Sequence, residues 1–442
     1  MKNSNIFPRH TSFNLPNAIK GDGCYIIDDN GKKYLDASCG AAVSCLGHSD
    51  KTVQEAIIKQ TEKLAFAHTS FFTSEPAEKL ANILSENSPE GLNKVYFVSS
   101  GSEAVESSLK LAKQYFIEIG KPKKNKVISR KQSYHGNTLG ALAAGGNIWR
   151  RAFFEELLFK TSLISPCYPY RHQKINESES DYGLRVANEL ESEIIRLGSE
   201  NVMAFIAETV GGATAGALVP VPGYFKRIRE ICDKYDVLLI LDEVMCGMGR
   251  TGSLFACEDE EIIPDILTIA KGLGAGYQPI GAMICQNFIY DAISNGSGFF
   301  QHGHTYLGHP IACAASFAVL RKLIDENFCD QVKEKGEYLQ KNLEIKLSQH
   351  EHIGDIRGRG LFRGIEIVQD RSTKEPFPKD FNVAGKIKKK ALDIGLICYP
   401  MQGTVDGIKG DHILIAPPFI INEDEINEIS SKIKRVIDLV CS

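Results

Sequence analysis

The chain has 442 residues, a formal net charge of −4 and an isoelectric point near 6.3. This length predicts two domains, one large and one small, and the charge balance argues against a nucleic-acid partner. No stretch approaches the roughly 18 to 20 apolar residues that a membrane span requires, and the first ten residues lack the apolar core of a signal peptide. No two of the 12 cysteines are three positions apart. We therefore expect no metal site and a reduced, cytoplasmic protein.

The elements predicted from hydrophobic patterning begin with a hairpin over residues 23–36, which turns at Asn30-Gly31, and a helix from about residue 52. Between residues 75 and 310 strands and helices then alternate. This alternation predicts an α/β fold with a mainly parallel sheet and helices on both faces, whose ligands gather at the carboxyl ends of the strands. The predicted strands are Val95–Val98, Lys126–Ser129, Val202–Ala207, Val237–Leu241 and Ile266–Ile269, and the predicted helices are 103–116 and 222–235.

The C-terminal part of the chain has a different pattern. A long helical stretch runs from 310 to about 348, strands follow near 360–367 and 412–416, and a closing helix begins at Glu423. Together with the N-terminal hairpin, this part is expected to form a smaller α+β domain. The predicted boundaries are 1–55 for the N-terminal part of the small domain, 56–325 for the large domain and 326–442 for the C-terminal part. The polar region 165–182 is predicted to be a loop.

Two predicted strands end in side chains that could do chemistry together. Asp242 closes the apolar run that starts at Leu238, and Lys271 follows the apolar run that ends at Ile269. A lysine that forms a Schiff base and an aspartate that keeps a ring nitrogen protonated are what a pyridoxal phosphate enzyme needs. Either residue alone is ordinary, since an aspartate at a strand end often caps a turn and a lysine there is usually solvated.

Two further strand ends carry residues that suit the same cofactor. The segment Ser99–Ala104 joins a strand to a helix, and the free N–H groups near Gly101 and Ser102 suit a phosphate. Ser102 could instead be an ordinary helix N-cap. Tyr134 follows the next strand, where its ring could stack on a flat cofactor or simply belong to the rim. The anion-binding segment, the aromatic residue, the aspartate and the lysine each follow a strand of one predicted sheet. Their occurrence together favours the cofactor site.

These residues lie within a longer likeness. The segment Leu241–Gly252, followed by Pro264-Asp265 and Ala270–Gly272, resembles the signature of the class III pyridoxal-phosphate-dependent aminotransferases, which include omega-aminotransferases and 4-aminobutyrate aminotransferases. The resemblance extends from the hairpin at Gly23 to Ala416–Pro418. It implies fold type I, with a large seven-stranded domain, a small domain built from both chain ends, and a homodimer with shared active sites.

The resemblance also implies a role for individual residues. Lys271 would be the catalytic Schiff-base lysine and Asp242 the catalytic partner of the pyridine nitrogen. The remaining cofactor site would comprise the phosphate ligands Gly101 and Ser102, the ring-stacking Tyr134 and Val244, His135, the acidic Glu208 near the substrate, and Thr305 from the neighbouring subunit.

The sequence departs from the family pattern at two places that bear on the substrate. The family usually has proline after the position of Glu208, and Thr209 stands there. Members that act on acidic substrates carry an arginine after Tyr-His-Gly, and Asn137 stands there. The candidate substrate residues are therefore Phe72, Asn137, Arg151 and Lys409. Lys409 could equally be an ordinary lysine of a surface loop.

The expected function is transfer of an amino group from an omega-amino acid or amine to an oxo acid such as pyruvate or 2-oxoglutarate. One alternative keeps pyridoxal phosphate but changes the reaction to that of a lyase, a decarboxylase or an aminomutase. Another is a non-catalytic binding protein on the same scaffold, against which the joint presence of Lys271, Asp242, Ser102 and Thr305 argues. The expected partners are small molecules and a second copy of the chain, with no nucleic acid and no membrane.

Overall fold

The computed structural model describes residues 5–11 and 15–441. Within these residues the strands are β1 (Ala18–Asp22), β2 (Tyr25–Asp28), β3 (Lys33–Asp36), β4 (Leu92–Val98), β5 (Lys126–Arg130), β6 (Ser162–Ile164), β7 (Val202–Glu208), β8 (Leu238–Asp242), β9 (Ile266–Ile269), β10 (Gly281–Gln286), β11 (Ile353–Arg359), β12 (Phe362–Ile367), β13 (Leu396–Ile397), β14 (Tyr399–Gln402) and β15 (Asp411–Ile415).

The helices of the described chain are α1 (Cys39–Ala42), α2 (Lys51–Lys63), α3 (Glu75–Asn87), α4 (Gly101–Glu118), α5 (Leu139–Ala144), α6 (Ile148–Arg151), α7 (Pro169–His172), α8 (Glu179–Leu197), α9 (Tyr224–Lys234), α10 (Asn287–Asn295), α11 (Pro310–Asp325), α12 (Phe328–Leu347), α13 (Val383–Asp393) and α14 (Glu423–Cys441). Short 3-10 helices lie at Glu155–Leu157, Ser199–Asn201, Ala256–Glu260, Lys271–Leu273 and Lys379–Phe381.

The central sheet has seven strands in the order β4-β10-β9-β8-β7-β5-β6. Neighbouring strands from β9 through β6 run parallel. Strand β10, which the sequence analysis did not predict, is antiparallel to both β4 and β9. Strand β4 therefore runs in the same direction as β9, so the carboxyl ends of β4, β5, β7, β8 and β9 lie at one edge. The prediction of a mainly parallel seven-stranded sheet is confirmed.

The sheet forms because its inner strands are apolar on both faces. Successive residues of a strand point to opposite sides, and Phe205 and Leu239 belong to one buried cluster while Ile206 and Ile240 belong to another. The first cluster includes residues of α8 and α9, and the second includes residues of α4. Full burial stabilises each such side chain by about 1.5–3 kcal/mol. Helices thus cover both faces, as predicted.

Two smaller four-stranded sheets contain the chain ends, in the orders β1-β2-β3-β13 and β11-β12-β15-β14. Strand β3 pairs in parallel with β13, so that Leu35 lies opposite Leu396. Both residues belong to one buried cluster that also includes Val319 of α11 and Ile433 of α14. This shared core is what a small domain built from both termini would need. The boundaries at residues 55 and 325 stay a prediction.

Three predictions about the local elements need correction. The helical stretch from 310 to 348 is two helices, because Asn327 adopts a left-handed conformation (φ 52°) between α11 and α12. The predicted loop 165–182 contains α7 and the first turn of α8, whose N-cap is the Ser178 side chain. Strand β11, rich in Gly and charged residues, was not predicted.

No helix within residues 5–11 and 15–441 is long and apolar enough to cross a membrane.

Candidate active site

A cavity of about 250 Å³ opens where the strands of the central sheet end. Its lining includes residues that follow or close each strand of that edge: Ser102 after β4, Tyr134 after β5, Glu208 at the end of β7, Asp242 at the end of β8 and Lys271 after β9. The parallel strand directions therefore bring together residues that are up to 169 positions apart, since Ser102 and Lys271 differ by that number.

Asp242 is the most firmly held of these side chains. His135 Nδ1 lies 2.7 Å from Asp242 Oδ2, and the exposed fractions of the two side chains are 0% and 4%. Asp242 Oδ1 accepts from Val244 N at 3.0 Å and from Thr268 Oγ1 at 3.3 Å. Thr268 is available because it lies directly opposite Asp242 in the β8–β9 register. The carboxylate is thus fixed in orientation before any ligand binds.

Lys271 begins a short 3-10 helix directly after β9 and has a left-handed backbone conformation (φ 45°). Burial lowers the pKa of its ammonium, while the negative charges of Asp242 and Glu208 oppose that shift. A lowered pKa increases the fraction of neutral amine, which is the nucleophilic form. The buried position of Lys271 therefore favours the neutral amine that attacks an aldehyde.

Glu208 is the second buried carboxyl group at the cavity. Its Oε1 accepts from Tyr134 N at 3.1 Å and its Oε2 accepts from Gly212 N at 2.7 Å. Burial raises its pKa, and the backbone hydrogen bonds from Gly212 and Tyr134 oppose that shift. These contacts tie the end of β7 to the segment that carries Tyr134.

The threonine that departs from the family pattern has a contact of its own. Thr209 Oγ1 donates to Glu243 Oε1 at 2.9 Å, and both residues are fully buried. Burial raises the pKa of Glu243 to about 7. Neither Thr209 nor Glu243 lines the cavity. Thr209 therefore packs behind the strand ends, outside the lining of the cavity.

The start of α4 has the features of an anion site. Ser100, and not Ser102, is the N-cap, because its hydroxyl accepts from Glu103 N at 3.2 Å. The alternative that Ser102 is the N-cap is therefore wrong. The Ser102 hydroxyl faces the next loop and accepts from Asn137 N at 3.0 Å. The N–H groups of Gly101 and Ser102 precede the first intrahelical partners and remain available to an anion.

Close packing requires glycine at the first residue of this helix. A β-carbon at Gly101 would lie 2.5 Å from Cγ1 of Val244. At that separation either the helix or the loop after β8 must move. Gly101 therefore fixes the distance between the anion site and the wall of the cavity that Val244 forms.

Arg151 does not have the geometry predicted for a substrate residue. Its Nη1 donates to the carbonyl oxygens of Ala143 and Gly145 at 2.6 and 2.7 Å. Its Nε and Nη2 donate to the carboxylate of Glu155, both at 3.1 Å. Because the buried guanidinium is neutralised within its own segment, the prediction that Arg151 holds a substrate carboxylate is wrong.

The neighbouring arginine, Arg150, does not line the cavity either, but it contacts a residue that does. The guanidinium carbon of Arg150 lies 4.3 Å from the ring centroid of Tyr134. Tyr134 itself lines the cavity, and burial raises the pKa of its phenol. The two arginines are adjacent in sequence, and a four-residue helix has too little periodicity to indicate which of them contacts Tyr134.

The other four candidates lie outside the lining of this cavity. The Asn137 side chain is exposed, and Lys409 is exposed in the loop between β14 and β15. Phe72 and Thr305 together line a different and larger cavity of about 950 Å³. Within one chain, therefore, Thr305 is not beside Gly101 and Ser102. No group of three or more metal-ligating side chains occurs in the part of the chain that the structure describes.

The sequence and the structure were compared with known proteins. The family model for class III aminotransferases matches residues 7–437. The chain belongs to this family. It is 44% identical to an uncharacterised aminotransferase of Schizosaccharomyces pombe over 99% of this chain and 95% of the relative. It is 38% identical to gamma aminobutyrate transaminase 2 of Solanum lycopersicum over 93% and 89%. The solved omega transaminase of Pseudomonas jessenii in complex with PMP has a TM-score of 0.92, 32% identity, and coverage of 98% and 96%.

Class III aminotransferases transfer amino groups with pyridoxal phosphate, and the chemistry of this cavity fits that cofactor. A buried carboxylate, Asp242, faces the cavity from β8, and an amine with a lowered pKa, Lys271, faces it from the turn after β9. The start of α4 offers the free N–H groups of Gly101 and Ser102 and has no room for a β-carbon at Gly101. These three features suit the ring nitrogen, the aldehyde and the phosphate.

Proposed function

We propose that this class III aminotransferase moves an amino group from an omega-amino acid or amine to an oxo acid such as pyruvate or 2-oxoglutarate. The observation that supports it best is the meeting of Lys271, Asp242 and the start of α4 around one cavity. In this proposal Lys271 and Asp242 are the catalytic residues. The other cofactor-binding residues are Gly101, Ser102, Tyr134, His135, Glu208 and Val244, all of which line the same cavity.

Each residue has a distinct part in the proposed chemistry. When bound, pyridoxal phosphate accepts the electron pair that the substrate carbon releases. Lys271 Nζ takes the proton from that carbon and returns it at the other end of the transfer. Asp242 holds a proton at the ring nitrogen, and His135 keeps the Asp242 carboxylate aligned for that contact. The N–H groups of Gly101 and Ser102 hold the phosphate and so fix the ring in place.

The names of two relatives support the proposed donor class. One related protein is named for gamma-aminobutyrate, an omega-amino acid, and the structural relative is an omega transaminase. In gamma-aminobutyrate the amino group and the carboxylate are at opposite ends of the molecule. We extend this donor class to the present chain as a proposal.

We further propose a homodimer in which each active site takes Thr305 from the partner. Thr305 and Phe72 line the larger cavity of their own chain, which contains large aromatic side chains from both segments. Phe72 and Phe299 there are 67% and 63% exposed, and Phe71, next to Phe72 in the chain, is 79% exposed. Apolar surface of this kind favours contact with another chain. A second copy placed against it would remove these rings from water and bring Thr305 towards a phosphate site.

The twelve cysteines support a reducing compartment, and we propose the cytoplasm. All of them lie in the described residues and are free, and only Cys329 and Cys398 are not buried. Burial raises the pKa of the thiols of Cys39, Cys246 and Cys257 well above their usual range. Protonated buried thiols behave as small apolar side chains and not as redox groups.

A single-turnover experiment tests the proposed reaction. The holoenzyme is mixed, without an acceptor, with beta-alanine, 4-aminobutyrate, a diamine, taurine and an arylalkylamine in turn, and the absorbance of the lysine-bound cofactor is followed. We expect at least one donor to convert the cofactor stoichiometrically to pyridoxamine phosphate, and pyruvate or 2-oxoglutarate to restore it. Release of ammonia, phosphate or carbon dioxide with the absorbance retained would contradict transamination and support the lyase or decarboxylase alternative.

A further inference from the structure

His302 joins the segment that carries Thr305 to helix α4 of the same chain. Its Nε2 lies 2.9 Å from Oγ of the buried Ser107, and it precedes Thr305 by three positions. Ser107 in turn follows Gly101, the first residue of α4, by six positions. At a rise of 1.5 Å per residue, about 9 Å of helix separates this contact from the start of α4. One helix therefore contains both the proposed phosphate site of its own chain and the residue that holds the Thr305 segment.

The hydrogen bonds of Ser107 determine the direction of this contact. The Ser107 hydroxyl donates its one proton to the carbonyl oxygen of Glu103 at 2.7 Å. It therefore accepts from His302, so that Nε2 carries the imidazole proton. The other nitrogen, Nδ1, is left as an acceptor and lies 3.4 Å from Nζ of Lys110. Burial, and then the positive charge of Lys110, lower the pKa of His302 to about 4. His302 is thus a neutral donor with one defined tautomer.

Further contacts fix the backbone up to His302. The Tyr96 hydroxyl, from β4, donates to the carbonyl oxygen of His302 at 2.9 Å. Gln114 of α4 accepts from the backbone N–H of Gln301 at 2.9 Å and donates to the carbonyl oxygen of Phe299 at 2.7 Å. The chain from 299 to 302 is therefore attached to the same helix at two places, Gln114 and Ser107.

The chain beyond His302 has weaker support. Gly303 and Thr305 are exposed, and the ring centroid of His304 lies 4.8 Å from that of His302 at an interplanar angle of 86°. The Nε2 of His304 is buried and has no hydrogen-bond partner in the described chain. Among residues 5–11 and 15–441, His302 is therefore the last residue before Thr305 whose side chain is hydrogen-bonded.

We propose that His302 is a positioning residue for the cofactor site of the partner subunit, because its bond to Ser107 fixes the segment from which Thr305 reaches that site. This inference rests on the proposed function, in which Thr305 acts on the phosphate held by the other chain. A group held in position in advance loses less entropy when its ligand binds. A change at His302 should therefore weaken cofactor binding in the partner's site and not in its own.

Titration of the apoenzyme with pyridoxal phosphate, followed by the absorbance of the lysine-bound cofactor, measures this effect. His302→Leu removes the donor, whereas His302→Gln places an amide N–H near the position of Nε2. We expect the dissociation constant to rise about fivefold to tenfold in His302→Leu, because one hydrogen bond that fixes the segment is lost. His302→Gln should return it to within about twofold of the wild type. The retained fold of both variants is checked by thermal unfolding.

Two neighbouring serines of α4 provide a matched pair of variants. Ser107 and Ser108 are both fully buried, and each donates to a carbonyl oxygen of its own helix, that of Glu103 or Val105. Only Ser107 also contacts His302. Ser107→Ala should therefore weaken cofactor binding as His302→Leu does, and Ser108→Ala should bind as the wild type does. Since Ser107 and His302 act through one bond, the double variant should bind no more weakly than either single variant.

Mixed dimers, purified with two affinity tags, show in which subunit His302 acts. When His302→Leu is paired with Lys271→Ala, the lysine-bound cofactor forms only in the His302→Leu chain, which takes Thr305 from the unaltered segment of the other chain. We expect the wild-type dissociation constant there. In the reverse pair, a wild-type chain is combined with a chain that carries both substitutions. The one site with Lys271 then takes Thr305 from the altered segment, and we expect the fivefold to tenfold rise.

The opposite pattern, with weak binding in the first pair and wild-type binding in the reverse pair, would place the effect of His302 in its own chain and overturn the proposal. Equal affinity of the wild-type and His302→Leu homodimers would overturn it as well.

The role of His302 and the proposed reaction can fail separately, because these titrations need no turnover. If the mixed dimers behave as expected but no donor converts the cofactor to pyridoxamine phosphate, the role of His302 stands and the reaction fails. If donors convert the cofactor and Thr305→Phe weakens the partner's site while His302→Leu does not, the reaction and the shared site stand and the role of His302 fails.

Discussion

His135 and Asp242 are joined by a contact of 2.7 Å between Nδ1 and Oδ2, and both side chains are buried. They come from different strand ends, 107 positions apart in the chain. Among residues 5–11 and 15–441, the one further hydrogen-bond partner of the imidazole is Ser129, whose Oγ lies 3.5 Å from Nε2. The shorter contact of the imidazole is therefore the one to Asp242, in which Nδ1–H donates to the carboxylate. In our proposal His135 is a positioning residue that acts through Asp242.

Replacing the imidazole should lower activity through the alignment of Asp242. We expect His135→Leu, which removes the donor, to lower kcat by roughly 10- to 10²-fold, since a hydrogen bond to a charged group is worth about 1.5–3 kcal/mol. His135→Asn places an amide N–H near the position of Nδ1 and should recover most of that loss. Steady-state kinetics and thermal unfolding of the two variants separate the effects. An equal loss of kcat in both variants would contradict the role assigned to the Nδ1–H bond.

Gly101→Ala tests the packing between the anion site and Val244. A β-carbon there would lie 2.5 Å from the valine Cγ1, so either the start of α4 or the loop after β8 must move. We expect the dissociation constant for pyridoxal phosphate, measured by titrating the apoenzyme, to rise at least tenfold while the fold is retained. Gly145→Ala is the matched control, because its β-carbon would meet its nearest atom at an ordinary 3.4 Å. A normal cofactor affinity in Gly101→Ala would show that the start of α4 does not hold the phosphate.

The sequence predicted those strands and helices whose pattern of apolar residues matches their burial in the folded protein. Strands β7 and β8 are buried on both faces and therefore read as unbroken apolar runs. Their polar ends, Glu208 and Asp242, could be placed at the ligand edge as soon as the strands were expected to be parallel. Lys271 followed from the same argument.

Other features depend on contacts that a linear pattern does not encode. Strand β11 contains two glycines, an aspartate and two arginines, and its Arg357 forms an ion pair with the buried Glu366 of β12. Strand β10 has six residues, but its antiparallel direction breaks the alternation of the sheet. The choice between Arg150 and Arg151 depends on which carbonyl oxygens and carboxylates α6 meets after folding.

Asp411 should make stability depend on pH. It is buried at the start of β15, and burial raises its pKa to about 6. Because the folded pKa is above the unfolded value, its contribution to stability is present at acid pH below the unfolded pKa and is lost as pH rises through about 6. Asp411→Asn keeps an oxygen for the bond from Ala384 N and cannot ionise.

We therefore expect the melting temperature of Asp411→Asn relative to wild type to be higher at pH 8 than at pH 4, by a few degrees. Differential scanning fluorimetry at both values measures this difference. Asp406→Asn, at an exposed aspartate of the loop between β14 and β15, controls for the charge change. A difference that does not change between pH 4 and pH 8 would show that folding does not raise the pKa of Asp411.

Lys271→Ala should abolish turnover but leave the fold intact, because the lysine supplies chemistry and not core packing. The variant should still bind pyridoxal phosphate through the start of α4 and Asp242, but without the absorbance of the lysine-bound cofactor. Borohydride reduction followed by mass spectrometry checks this directly, since it should attach the cofactor to the wild type and not to the variant. Turnover at the wild-type rate in Lys271→Ala would contradict the assignment of the catalytic lysine.

The shared-site proposal can be tested with inactive variants that repair each other. Thr305 lines a cavity of its own chain that lacks Lys271, so the proposal requires it to act at the phosphate of a partner. Thr305→Phe should block that phosphate site, whereas Thr305→Ser keeps the hydroxyl and should remain active. Alone, Thr305→Phe and Lys271→Ala should both be inactive homodimers.

Mixing these two variants under conditions that exchange subunits should restore activity. Half of the dimers are then mixed, and each mixed dimer contains one site that combines Lys271 from one chain with Thr305 from the other, so about a quarter of the wild-type activity is expected. Subunit exchange is followed independently with two affinity tags, and a mixture of Lys271→Ala with Lys271→Ala carrying the second tag is the negative control. If exchange is complete and no activity returns, Thr305 acts within its own chain or not at all. With unshared sites, each chain of a mixed dimer would still contain its own inactivating substitution.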